Sequence, residues 1–115
     1  MPKSILVADD DPAMLKVYER LLARTSHSVA KASTFAEAAA LIAEREFDLL
    51  ITDLMLPDGL GTDLIKFFED KKAGARSLLV TGSVQQCPPA DLPASYFEKP
   101  FDVASFMAAV AAALE

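Results

Sequence analysis

The sequence predicts an α/β fold in which helices cover both faces of a parallel β-sheet. Short apolar runs alternate with amphipathic helical segments about five times along the chain, which is typical of such folds. The apolar runs are nearly continuous, as in strands that are buried on both faces. Several runs end in Asp, Thr or Lys, so polar groups would lie at the carboxyl edge of the sheet, where these folds bind ligands.

The first strand and the first helix are predicted from a short N-terminal pattern. Residues 4–8 read SILVA, which suits one buried strand. Asp11 is a plausible N-cap, and Pro12 fits the first position of the helix that follows. This helix buries one face, because apolar residues recur at helical spacing: Met14, Leu15, Tyr18, Leu21 and Leu22.

The middle of the chain predicts two further strands and two further helices. A weak strand is expected around Val29, and the T-x-x-E capping box of Thr34 and Glu37 begins the next helix. Residues 48–53 form a buried strand, followed by a loop at 54–61. Residues 62–72 predict a helix that Gly74 terminates. Its inward side chains are expected to be Leu64, Ile65, Phe67 and Phe68, and the methionines are also assigned to the core.

The last third of the chain predicts two strands and a final helix. The strands are residues 77–81 and the short run 96–98. Asp102 is expected to cap the final helix, which presents Val103, Phe106, Met107 and Val110 on one side. The size of the chain predicts a single domain over residues 1–115.

Composition favours a cytoplasmic protein whose partners are proteins or a metal ion. The net charge of −6 disfavours nucleic acid and anionic membrane surfaces. Cys87 is the only cysteine, so no internal disulfide can form and a reducing compartment is the simpler expectation. The N-terminus lacks the apolar core of a secretory signal, and no apolar run reaches the roughly 18 residues of a membrane span.

Five polar residues at strand ends predict a phosphoryl and metal site. The first strand ends in Asp9 and Asp10, the third in Asp53, the fourth in Thr81 and the fifth in Lys99. Three neighbouring carboxylates repel one another unless a cation joins them. Mg²⁺ suits them because it binds one or two carboxylates together with phosphate oxygens. A carboxylate can also attack phosphorus, and the central Asp53 is the best candidate nucleophile.

Four motifs in this order resemble the receiver domain of response regulators, the CheY-like superfamily of two-component signalling. They are ILVADDD at 5–11, DLMLPDG at 53–59, VTG at 80–82 and YFEKPF at 96–101. Each motif is weak alone, but each lies at a predicted strand end and together they cover almost the whole chain. The resemblance implies a three-layer, doubly wound (βα)5 fold of the flavodoxin-like type. Its five parallel strands would have the order 2-1-3-4-5.

The resemblance also implies a role for each site residue. Asp53 would be the phosphorylated residue, and Thr81 and Lys99 would bind the phosphoryl group. Asp10 would bind Mg²⁺ directly and Asp9 directly or through water. Three further features are implied: a backbone-carbonyl ligand from Met55, an aromatic switch at Tyr96 and a cis peptide between Lys99 and Pro100.

The implied function is that of a signalling switch whose only catalysis is its own phosphorylation and dephosphorylation. The phosphoryl donor would be a phosphohistidine on a sensor histidine kinase or a histidine phosphotransfer protein. Phosphorylation would bias a two-state surface toward a downstream protein or a fused output domain. Direct nucleic-acid binding and membrane binding are not expected of this domain. The residues at Met55 and Ser83 would set the lifetime of the phosphoryl group.

One region departs from the family pattern. The stretch from Thr81 to Lys99 is shorter than usual by about one helical turn. It also holds Pro88, Pro89 and Pro93, which disrupt helices. We therefore expect a fourth helix that is truncated, irregular or absent, and this puts the family's usual dimer face in doubt. The loop DGLG at 58–61 is a glycine-rich variant that still permits the turn.

Three alternatives remain open from the sequence alone. An Asp-nucleophile phosphatase of the haloacid dehalogenase type would carry its nucleophile on the first strand in a D-x-D pattern. A flavodoxin-like FMN binder would need a phosphate loop where this chain has three aspartates. The third is a phosphorylation-independent interaction module on the same fold. The retained site residues disfavour it, and the expected irregular fourth helix keeps it open.

Overall fold

A computed structural model gives the structure of residues 3–72, 74–81, 96–98 and 102–114, with the backbone alone for positions 81, 96 and 98. The described strands are β1 (Ser4–Ala8), β2 (Ser28–Ala32), β3 (Leu49–Asp53), β4 (Met55–Leu56), β5 (Gly59–Leu60), β6 (Arg76–Thr81) and β7 (Tyr96–Glu98). The described helices are α1 (Pro12–Leu22), α2 (Phe35–Glu44), α3 (Gly61–Lys71) and α4 (Val103–Ala113).

Five of these strands form one parallel sheet in the order β2-β1-β3-β6-β7. This is the predicted order 2-1-3-4-5, because β6 and β7 are the fourth and fifth strands of the sheet along the chain. The register aligns Ala8 with Thr52, and Asp53 with Val80. The carboxyl ends of β1, β3 and β6 therefore lie level at one edge.

Two apolar cores form, one on each face of the sheet, because side chains alternate between the faces along each strand. Ile5 and Val7 of β1 pack with α1 and α4 on one face. Leu6 and Ala8 pack with α2 and α3 on the other. Burial of each large apolar side chain contributes about 1.5–3 kcal/mol, so these two layers hold the helices on the sheet.

The predicted helix starts are confirmed. The Asp11 carboxylate accepts a hydrogen bond from the Ala13 amide at 2.9 Å, and Pro12 occupies the first position of α1. The Thr34 hydroxyl accepts from the Glu37 amide at 3.1 Å. The Glu37 carboxylate in turn accepts from the amide of Ser33, at 2.7 Å, so the returning bond reaches one residue beyond the N-cap. Asp102 caps α4 through the Ser105 amide at 2.8 Å.

Two predictions of burial are wrong. Phe67 was expected to point inward, but 42% of it is exposed, whereas its neighbour Phe68 is buried. Met55 was assigned to the core with the other methionines, and 45% of it is exposed. The physical reasons differ. Only one of two adjacent helical positions faces the sheet here, and Met55 lies on the antiparallel hairpin of β4 and β5, which the loop prediction did not anticipate.

The predicted irregularity of the fourth helix concerns residues 82–95, which lie outside the described residues. The same holds for the predicted cis peptide between Lys99 and Pro100.

Candidate functional site

Three carboxylates converge at the carboxyl edge of the sheet, as the sequence predicted. Asp9, Asp10 and Asp53 each offer a carboxylate oxygen, and these oxygens lie within 4.8 Å of one another. Asp9 and Asp10 follow β1, and Asp53 ends the neighbouring strand β3. Asp9 is buried, Asp53 is half-buried and Asp10 is exposed. The cluster therefore extends from the interior to the surface and is open on one side.

Backbone hydrogen bonds orient the Asp9 side chain. One carboxylate oxygen of Asp9 accepts from the Asp11 amide at 2.9 Å, within the turn that leads into α1. The Asp9 amide donates to the Ala32 carbonyl at the end of β2, at 3.0 Å. The sharp turn between β1 and α1 thus directs Asp9 inward and leaves Asp10 at the surface.

Asp53 is held by its own strand end. Its Oδ1 atom accepts from the Leu54 amide at 2.8 Å, and its backbone carbonyl accepts from the buried Thr52 hydroxyl at 2.9 Å. A β-strand would continue straight here, but the chain turns at once into the hairpin of β4 and β5. The carboxylate therefore lies at the carboxyl end of the strand.

Gly61 closes the hairpin against Asp53, and sequence reasoning did not identify this role. The Gly61 amide donates to the Leu54 carbonyl at 2.6 Å. A Cβ atom at this position would lie 2.0 Å from the Asp53 carbonyl oxygen. Only glycine fits such an approach without moving the backbone that carries the carboxylate. The glycine in the motif was the available signal, but it indicated only a turn.

Two of the three carboxylates, those of Asp9 and Asp53, act electrostatically on a buried phenol. Burial raises the pKa of Tyr18 far above its usual value, and the charges of Asp9 and Asp53 raise it further. Tyr18 also packs against Phe106 of α4, with ring centroids 5.8 Å apart. The phenol therefore stays neutral and contributes no charge to the cluster.

The donor set fits a hard divalent cation. Mg²⁺ binds oxygen ligands at about 2.0–2.1 Å, so ligands on opposite sides of one ion lie roughly 4 Å apart. The 4.8 Å limit on the carboxylate oxygens is close to this span. Two of them could bind one ion directly, and the third could contribute through water. Met55, whose carbonyl was predicted as a further ligand, lies two residues after Asp53 on β4.

The other predicted site residues are placed only partly. The backbone of Thr81 ends β6, and its register partner is Glu98 on β7. Tyr96 begins β7 opposite Leu79. Lys99 follows β7 and lies outside the described residues, as do Gly82 and Ser83. The structure thus brings together the three predicted carboxylates and places the strand end of Thr81 at the same edge.

Comparison with known proteins gives one consistent family. The family profile described as "Response regulator receiver domain" matches residues 5–111. The chain is 33% identical to the response regulator protein PilR of Pseudomonas aeruginosa, over 95% of this chain and 25% of PilR. It is 32% identical to the DNA-binding transcriptional regulator NtrC of Azospirillum brasilense, over 96% of this chain and 24% of NtrC. It therefore spans about a quarter of the length of these curated relatives.

Solved structures agree in fold. A CheY-like response regulator receiver domain protein from Methanospirillum hungatei superposes with a TM-score of 0.88 at 26% identity, covering 99% of this chain and 94% of that one. The non-phosphorylated HemR receiver domain from Leptospira biflexa gives a TM-score of 0.82 at 27% identity, covering 100% and 95%. Among the described residues, no helix combines the length and the apolar character that crossing a bilayer requires.

Proposed function

Because the chain belongs to the family of response regulator receiver domains of two-component signalling, we propose that Asp53 is its phosphoryl acceptor and that Mg²⁺ binds beside it. The observation that carries the proposal is the convergence of Asp9, Asp10 and Asp53 at one edge of the sheet. The comparisons favour this function over a phosphatase and over a phosphorylation-independent module.

The proposed reaction is the transfer of a phosphoryl group from a phosphohistidine to Asp53. A carboxylate oxygen of Asp53 attacks phosphorus, and an aspartyl phosphate forms. The bond between phosphorus and the imidazole nitrogen breaks, and its electron pair stays on that nitrogen. The cation, when bound, would neutralise charge on the phosphoryl oxygens. Hydrolysis of the aspartyl phosphate then returns the domain to its starting state.

Each remaining site residue has a proposed role. Asp10 would bind the cation directly, and Asp9 directly or through water. The Met55 carbonyl would complete the protein ligands. Thr81 would donate its hydroxyl to the phosphoryl group, and Lys99 would pair with it as a point charge. Tyr96 would act as the switch residue that couples Thr81 to the surface.

The proposed partners follow from this chemistry. The donor would be a sensor histidine kinase or a histidine phosphotransfer protein, and the receiver of the signal would be a downstream protein or a fused output domain. We place the domain in the cytoplasm and expect it to bind neither nucleic acid nor membrane directly. Its catalysis would be limited to its own phosphorylation and dephosphorylation.

The test is phosphorylation by acetyl phosphate, followed by intact mass spectrometry. Wild type with Mg²⁺ should gain the mass of one phosphoryl group, and peptide mapping should locate it at Asp53. Asp53→Asn should gain none, while Asp63→Asn, an exposed carboxylate in the first turn of α3, should react like wild type. A wild-type protein that gains no adduct, or an adduct on another residue, would overturn the proposal.

A further inference from the structure

The N-terminus of α2 is capped by a residue from a distant part of the chain. The Asp58 carboxylate accepts the amide of Phe35 on one oxygen at 2.6 Å and the amide of Ala36 on the other at 3.0 Å. Asp58 lies at the turn between β4 and β5, 22 and 23 residues away along the chain. These bonds lower the pKa of Asp58, with the Ala36 amide as the larger cause and the Phe35 amide as the second.

Asp58 and the local N-cap, Thr34, bind different backbone amides in the first turn of α2. The Thr34 hydroxyl accepts the Glu37 amide, and the Thr34 carbonyl accepts the Ala38 amide. The amides of Phe35 and Ala36 are those that Asp58 binds. Thr34 alone is sufficient to cap the helix, so the additional bonds of Asp58 have a second effect. They join α2 to the hairpin that follows Asp53.

The hairpin is anchored at three levels. At its base, Gly61 lies in close contact with the Asp53 carbonyl. In its middle, Leu56 is buried in the core between the sheet, α2 and α3. At its tip, Asp58 binds α2, and Gly59 lies so close to Phe35 that a Cβ atom would be 2.6 Å from the ring. Met55, Pro57 and Leu60 are exposed.

The same end of α2 is also linked to the acidic cluster from the other side. β2 leads into α2 through residues 33 and 34, and the last residue of β2, Ala32, accepts the Asp9 amide through its carbonyl. The start of α2 therefore lies between the strand end that positions Asp9 and the hairpin that carries Met55. A shift of the hairpin tip away from α2 would change the spacing of the two sides of the site.

We infer that Asp58 is a positioning residue, which fixes the Met55 hairpin on α2 and thereby sets the affinity of the acidic cluster for a divalent cation. This inference rests on the proposed function, because it takes the cluster and the hairpin as the two sides of one metal site. Binding at the site and the bonds of Asp58 are then coupled. Mg²⁺ must strengthen those bonds by the same factor by which they strengthen Mg²⁺ binding.

The first test compares Mg²⁺ affinities, measured by titration of amide chemical shifts at a pH near 7. Asp58→Ala should bind Mg²⁺ roughly tenfold more weakly, the lower end of the range for residues that orient metal ligands. Asp58→Asn keeps one acceptor oxygen and should bind with intermediate affinity. The matched control is Thr34→Ala, which removes a cap from the same helix end without touching the hairpin. It should keep the wild-type affinity.

The second test needs no variant. Amide hydrogen exchange of Phe35 and Ala36 in wild type should slow on addition of Mg²⁺, whereas exchange at Ser105, capped locally by Asp102 in α4, serves as a reference for general stabilisation. A merely structural cap would slow no more than the reference. This measurement decides the matter even if Asp58→Ala fails to fold.

The outcomes separate the two proposals. If wild type binds no Mg²⁺ at the cluster, the proposed function fails, and this inference with it. If wild type binds Mg²⁺ but Asp58→Ala binds equally well, or Thr34→Ala is weakened to the same degree, only the inference is overturned. Unchanged exchange at Phe35 and Ala36 would also overturn it while leaving the phosphoryl acceptor in place.

Discussion

At the carboxyl edge of the sheet three carboxylates approach one another, whereas at the amino edge acidic and basic groups pair. Asp48, which precedes β3, accepts the Ser4 amide at 2.9 Å and the Lys72 ammonium at 3.2 Å. Lys71 donates to the Ile42 carbonyl near the end of α2. Arg45 stacks over the ring of Phe47 at 5.0 Å from its centroid. Charges at this edge hold elements together.

The contrast distinguishes structural charge from functional charge. At the amino edge each of these charged groups meets a donor, an acceptor or a ring, so the fold gains from it. At the carboxyl edge, like charges lie within 4.8 Å, which opposes folding unless a cation joins them. A fold that tolerates such repulsion in one place is expected to gain function there. The following experiments test the contrast.

The largest effect should come from a glycine substitution at the carboxyl edge, and a glycine substitution near the amino edge serves as its comparison. Gly61→Ala places a methyl group 2.0 Å from the Asp53 carbonyl oxygen. We expect the free energy of unfolding to fall by about 3 kcal/mol, because overpacking at this position must move the backbone. Gly74, near the amino edge, has φ 84° and open space around it. Gly74→Ala should lower the free energy of unfolding by only about 1 kcal/mol, which is the cost of holding alanine in the left-handed backbone conformation. Urea unfolding of both variants measures the difference. Equal losses would contradict the close packing at Asp53.

Removal of a charge should next have opposite consequences at the two edges. Asp48→Ala removes the acceptor of the Ser4 amide and of Lys72, and should lower the free energy of unfolding by about 1–2 kcal/mol. Lys72→Met, which leaves the Ser4 bond, should cost no more than about 0.5 kcal/mol because the pair is partly exposed. Urea unfolding at neutral pH gives both values. A stabilised Asp48→Ala would contradict the structural role of this edge.

At the carboxyl edge the sign should reverse. In a buffer without divalent cations, Asp10→Asn should stabilise the protein by up to about 1 kcal/mol, the repulsion of two unit charges roughly 5 Å apart in a water-like dielectric. Mg²⁺ should raise the melting temperature of wild type more than that of the variant, since the ion stabilises the folded state that binds it. Thermal melts with and without Mg²⁺ test both statements. An equal response to Mg²⁺ would exclude Asp10 as a ligand.

The smallest effect should be the pH dependence contributed by Asp48. The Ser4 amide is the main cause that lowers the pKa of Asp48, and Lys72 lowers it further. An unfolded Asp has a pKa of about 3.9. The contribution of Asp48 is therefore fully present above about pH 4 and is lost as the pH falls through the lower folded value. Stability curves from pH 6 to pH 2 should be flatter for Asp48→Asn than for wild type. Identical slopes would show that Asp48 does not contribute to the pH dependence of stability.

Local pattern accounts for most of the secondary structure. The caps at Asp11, Thr34 and Asp102 bind amides two or three residues away, so short sequence motifs suffice to predict them. The alternation of apolar runs with helical segments likewise predicts a parallel sheet. Its carboxyl edge then follows from topology, and this is why Asp9, Asp10 and Asp53 could be identified before any coordinates.

What tertiary structure alone decided are the contacts between segments far apart in sequence. Three examples depend on how packed elements meet. They are the bonds of Asp58 to the first turn of α2, the close approach of Gly61 to the Asp53 carbonyl and the exposure of Phe67. The sequence by itself determined the described strands of the parallel sheet, the helices between them and the charges that end the strands, but not the strands of the hairpin. It could not determine how the hairpin after Asp53 lies against α2, because a periodic pattern records which face is buried and not which distant group covers it.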